Sequence, residues 1–70
     1  MPRYPQAKVH IDLASPNGNV FAIVGIVKSA LRKVGASETD IEVFAAEAMS
    51  SDYQHALDTC AEWVTFTTSN

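Results

Sequence analysis

Cysteine is nearly missing from this sequence: Cys60 is the only one among 70 residues. No internal disulfide can form, which fits a reducing compartment. Cys60, His10 and His55 are too few and too scattered for zinc-ligand spacing, so no metal and no other cofactor is expected. Basic residues are also scarce, 5 against 8 acidic ones, for a formal charge of −3. That balance disfavours diffuse binding to nucleic acid or to an anionic membrane. Long apolar runs are absent as well. The longest, Val20 to Val27, is interrupted by Gly25 and falls far short of the roughly 20 residues that span a bilayer. The opening stretch MPRYPQAKVHIDL lacks the apolar centre of a signal peptide. These absences lead to the expectation of a cytoplasmic protein.

What is present suits a folded domain. Apolar residues make up 47% of the chain, which argues against disorder. A single core of this size rarely supplies more than about 3–5 kcal/mol without disulfides, metal or oligomerisation. Self-association is the reinforcement left open, with a symmetric dimer favoured: the helix expected from Val20 carries more apolar surface than two other helices can cover, so a second copy is expected on it and on the C-terminal segment.

Residues 1–7 carry two prolines and few apolar side chains, and read as an extended, frayed arm. Residues 8–70 read as one small α+β domain. Val9, Ile11 and Leu13 alternate with Lys8, His10 and Asp12, the pattern of a half-buried strand. Ser15-Pro16-Asn17-Gly18 is a strong turn, with Gly18 expected in a backbone conformation that other residues resist. Asn19 stands where a helix N-cap belongs.

From Val20 the spacing predicts a helix that is apolar nearly all round in its first two turns, buried on more than one side, and closed by Gly35. Ser37 opens a second helix, with Ile41, Phe44, Ala45 and Ala48 as its buried stripe. Ser50-Ser51-Asp52 breaks this pattern and caps a third, with Tyr53, Ala56, Leu57, Cys60, Ala61 and Val64 at helical spacing. Trp63 to Thr68 is β-rich and alternating. It fits either a last helical turn with a tail or a short strand beside Val9–Leu13, and the need to pair backbone groups favours the strand. The expected fold is thus α+β: one N-terminal strand, three helices, and a short C-terminal strand.

The chemistry-bearing residues are few. Asn17, Gly18 and Asn19 precede a helix N-terminus, whose free N–H groups suit a phosphate or carboxylate. Chain reversal and capping explain the same residues without a ligand, and a phosphate loop would carry more glycine and a lysine. Asp12 lies on the polar face of the strand, solvated or bonded to the turn. Cys60 falls on an apolar stripe and reads as a small buried hydrophobe rather than a nucleophile. Lys28, Arg32 and Lys33 form a basic cluster at a helix end, where the dipole favours them. The acidic residues Glu38, Asp40, Glu42 and Glu47 are available to face it. Tyr4, Tyr53, Trp63 and Phe66 fit either an interface or closure of the core over its ends.

The stretch IDL-x2-P-x-GN-x-F, with the later SSDYQHAL, resembles a class of small proteins encoded by phages and prophages. The matching positions are Ile11, Asp12, Leu13, Pro16, Gly18, Asn19, Phe21, Asp52 and Tyr53. The resemblance implies a strand, a turn and a helical body. It also implies accessory proteins that act inside an infected cell by binding a host component. It implies no catalytic residue and no cofactor.

The expectation is therefore a small non-catalytic binding protein. Its partner would be a host or phage protein, and Asp12, Asn17, Gly18, Asn19, Tyr53 and Trp63 are the candidate contact residues. The alternative is a binder of a nucleotide-like anion that uses the Asn17–Asn19 turn. An enzyme ranks third.

Overall fold

A computed structural model describes residues 1–70. Strand β1 (Tyr4–Asp12) leads through a 3₁₀ turn (Pro16–Gly18) into helix α1 (Val20–Lys33). Helices α2 (Glu38–Ala48) and α3 (Tyr53–Trp63) follow, and strand β2 (Val64–Ser69) runs on from α3. The fold is α+β, and the ambiguous segment after Trp63 is a strand.

β1 and β2 pair in parallel, with Val9 beside Phe66 and Ile11 beside Thr68. A parallel pair needs a long crossover, and the three helices supply it. Parallel sheets are usually covered on both faces. Here one face holds the core and the other is exposed, carrying Lys8, His10 and Asp12 beside Thr65, Thr67 and Ser69. The alternation of β1 accounts for this: Ala7, Val9 and Ile11 point inward and are buried.

The strand starts earlier than the alternation predicts. Residues 4–7 belong to β1 rather than to a frayed arm. Trp63 is the reason. Tyr4 stacks on its indole with centroids 6.3 Å apart. The Arg3 guanidinium lies 4.2 Å above the same ring, and Arg3 N–H donates to the Glu62 carbonyl at 3.0 Å. The Tyr4 hydroxyl also donates to the Asp40 carboxylate. These contacts come from distant parts of the chain, so nothing local announces them.

Each helix starts as its sequence predicts. The side chains of Asn19, Ser37 and Asp52 accept from the backbone N–H groups of Ala22, Asp40 and His55. α1 ends at Gly35, which has φ +86, in the left-handed region that favours glycine. Gly35 N–H donates to Arg32 C=O and Ala36 N–H to Leu31 C=O, the two bonds of a Schellman close. The basic end of α1 finds one acidic partner, Arg32 to Glu38 at 3.3 Å; both side chains are exposed, so the pair contributes little.

α1 is the central core helix. Ile23, Val24, Val27 and Leu31 are buried, and Val20, Ala22, Ile26 and Ala30 are partly covered. The expected surplus of apolar surface for a second copy is therefore absent along most of this helix. β1, α2 and α3 all pack on it. Phe21 is the exception, at 72% exposure.

The buried stripe of α3 is rotated from the expected one. It comprises Ala56, Thr59, Cys60 and Trp63, while Ala61 and Tyr53 are exposed. The large indole outweighs a methyl group in deciding which face turns inward. Thr59 is tolerated there because its hydroxyl donates to the His55 carbonyl at 2.8 Å. No helix is long and apolar enough to cross a membrane.

Candidate functional site

Five of the six candidate contact residues gather at one end of the molecule. Asp12, where β1 ends, accepts the Ala14 N–H on its carboxylate at 3.0 Å. Its carbonyl accepts from the Ser15 hydroxyl at 2.7 Å. The Ser15 oxygen in turn accepts the Asn17 N–H at 3.2 Å, opening the 3₁₀ turn. Asn19 uses both ends of its amide: Nδ2 donates to Pro16 C=O at 2.8 Å, and Oδ1 accepts Ala22 N–H at 2.9 Å. Tyr53, at the start of α3, donates its hydroxyl to Gly18 C=O.

Gly18 is required for a different reason from the expected one. Its φ is not positive; Gly35 alone has that property. A Cβ at position 18 would lie 2.3 Å from the Leu13 carbonyl oxygen and 2.8 Å from its carbonyl carbon. The turn folds back so tightly on the end of β1 that only a hydrogen fits.

This wiring bears on the anion reading. The Ala22 N–H, one of the free donors at the start of α1, is taken by Asn19. The neighbouring charged side chains, Asp12 and Asp52, are acidic. The turn is a structural joint in which the side chains of Asp12, Ser15 and Asn19 already have partners within the chain.

Beside this joint lies an apolar surface. Phe21 is 72% exposed, Met49 47% and Tyr53 41%. With Val20, Ser51 and Asp52 they line a hollow of about 280 Å³. Three elements meet there: the first turn of α1, the end of α2, and the start of α3.

Trp63, the sixth candidate, is not part of this surface. It is 3% exposed and packs edge-on to Phe44, with centroids 5.9 Å apart. Of the two readings left open for the aromatics, Trp63 closes the core. Phe21 and Met49 are residues the sequence reading missed as surface. Phe21 shares helical spacing with Val24 and Leu31, which placed it on the buried stripe. The sequence carries no signal that the first turn of α1 projects past its neighbours.

No family model, curated protein or solved structure matches the chain.

The remaining polar groups include one hydroxyl–imidazole contact, between Ser50 and His55 beside the exposed Glu47 carboxylate. Burial pushes the Cys60 thiol up to about 12, and the residue is fully enclosed. His55 Nε2 stands 3.2 Å from Ser50 Oγ and 3.0 Å from Glu47 C=O. The tautomer decides the roles: protonated at Nε2 the ring donates to that carbonyl, and unprotonated there it accepts from the Ser50 hydroxyl. The Ser50 hydroxyl itself donates to Glu47 C=O at 2.8 Å. The group therefore closes the end of α2. On the outer sheet face, His10 is held between Thr67 at 2.7 Å and Ser69 at 3.3 Å, which ties the two strands together.

Proposed function

We propose that this is a small non-catalytic binding protein. Its protein partner docks on the apolar surface formed by Val20, Phe21, Met49 and Tyr53. The observation that carries the reading is the exposure of the Phe21 ring on a helix whose other large apolar side chains are covered. An exposed aromatic beside a methionine and a tyrosine, rimmed by Asn19, Ser51 and Asp52, has the make-up of a protein-contact patch: an apolar centre and a polar edge. Methionine adapts its shape to a partner, and tyrosine presents area at little entropic loss.

The resemblance to small phage-encoded proteins supports the same class of function. In that setting the protein is an accessory or inhibitor that engages a host or phage protein in the infected cell. The hydrogen-bonded joint of Asp12, Asn17, Gly18 and Asn19 then serves as the frame that holds Phe21 and Tyr53 in place.

The test compares the wild-type protein with Phe21→Ser as bait in a lysate of the candidate host. Phe21 is exposed, so the variant keeps its fold. A protein retained by wild type and lost with Phe21→Ser supports the reading. Equal retention by both, or a stabilising shift with nucleotides or inorganic anions that Asn19→Ala abolishes, replaces it.

A further inference from the structure

The sheet has two strands, so each strand has an unpaired edge. The two edges are not alike. The edge of β1 carries the devices that block edge-to-edge pairing: Pro5, Lys8, and a register irregularity between Tyr4 and Lys8. Lys33 joins Lys8 around a hollow that borders this strand. β2 reads VTFTTS, with no proline, no charge and no bulge.

The backbone groups on the open edge of β2 follow from its register. In a parallel ladder a bonded residue turns both its N–H and its C=O to the neighbour, and the next residue turns both away. Leu13 N–H donates to Ser69 C=O at 2.7 Å, and Val9 aligns with Phe66. Thr65, Thr67 and Ser69 therefore face β1, and Val64, Phe66 and Thr68 face outward. Val64 N–H is already used, donating to Cys60 C=O where α3 ends. The edge thus offers an acceptor at Val64, a donor and an acceptor at Phe66, and a donor and an acceptor at Thr68.

We propose that β2 pairs antiparallel with β2 of a second copy of this chain, about a two-fold axis at Phe66. The row of donors and acceptors is its own complement when turned end over end. Phe66 exchanges two bonds with Phe66 of the other copy. Each Thr68 N–H meets the Val64 C=O across the axis. The one outward group left over on each copy is Thr68 C=O, which stays in water.

The same register satisfies the faces. It sets Val64 opposite Thr68 and Phe66 opposite itself on the helix side. Thr65 lies opposite Thr67 on the outer side, a favourable cross-strand pair. The product is a four-stranded sheet whose outer strands are the two protected copies of β1. A two-stranded sheet is a minimal unit, and widening it in this way adds ladder bonds without rearranging either copy. The pairing joins two folded copies along one edge, so it reverses on dilution.

The experiment is sedimentation of the full chain across the micromolar range, for wild type and Thr68→Pro. Proline at position 68 removes an outward N–H and leaves the bonds to β1 intact. The expected result is a wild-type mass rising from 7.6 kDa toward twice that value on concentrating. Thr68→Pro should remain a monomer with unchanged circular dichroism, its dissociation constant raised at least about tenfold. A wild-type protein that stays monomeric throughout overturns the proposal. So does a Thr68→Pro variant that dimerises as well as wild type, since another surface must then be responsible. Should Thr68→Pro fail to fold, the double variant Thr65→Cys with Thr67→Cys decides. Mild oxidation gives a reducible covalent dimer if the register is right, and no such dimer overturns it.

Discussion

Tyr53 and Gly18 are joined by a hydrogen bond across 35 positions of sequence, from the first residue of α3 to the turn that precedes α1. The bond fixes the start of one helix against the start of another, and Phe21 stands exposed beside it. Tyr53→Phe removes this bond while keeping the ring. Chemical denaturation should show a loss of about 1 kcal/mol.

Gly18→Ala should be worse than Tyr53→Phe, because the added methyl meets backbone rather than a side chain. A Cβ 2.3 Å from the Leu13 carbonyl oxygen forces the turn away from β1. The expected loss is about 2 kcal/mol or more. A drop below that of Tyr53→Phe would mean the turn yields easily.

The caps give a graded comparison. Asn19→Ala should destabilise by about 1 kcal/mol, because Ala22 N–H loses its acceptor at an otherwise unpaired helix start. Phe21→Ser, two positions on, should leave the denaturation midpoint within about 0.5 kcal/mol of wild type, its ring being exposed.

Alkaline pH should weaken the fold through Cys60 first. Its thiol has a folded pKa of about 12, raised from 9.0 by burial. The unfolded chain therefore gives up this proton at lower pH than the folded one, and stability falls as pH rises above 9.0. Between pH about 8 and about 10.5 the loss should be about 2 kcal/mol, and Cys60→Ala should flatten the slope. The Tyr4 hydroxyl, held protonated chiefly by its bond to Asp40, adds a decline of the same sign above its ordinary value of 10.0. The native thiol should also react far more slowly with a thiol reagent than the denatured one.

Trp63 reports on its own surroundings, being the sole tryptophan. Fluorescence of the native protein should be blue-shifted, as expected of a ring at 3% exposure. Arg3→Ala uncovers the face over which the guanidinium lies and should shift emission to the red with the fold retained.

Local signals made most of the elements legible. Asn19, Ser37 and Asp52 act as caps within three residues of their own position, so a short window reveals them. Gly35 is legible for the same reason. What sequence could not reveal depends on distant contacts. The rotation of α3 follows from Trp63 reaching Phe44 and Tyr4. The need for glycine at position 18 follows from the Leu13 carbonyl. At the candidate site the polar frame of Asp12, Asn17, Gly18, Asn19 and Tyr53 was visible as a cluster of turn and cap residues. Phe21 and Met49 were not, because periodicity reports which residues are apolar and not which of them the neighbouring helices fail to reach.

The parallel pairing of β1 with β2 also decides how this molecule bears load. Residue 4 opens one strand and residue 69 closes the other, and both strands point the same way. A pull between those two positions runs along the strands in opposite directions. It strains every rung of the ladder together, in shear, instead of parting the rungs one after another. Drawn from its two ends, this small domain is braced along the one direction in which a short sheet resists force best.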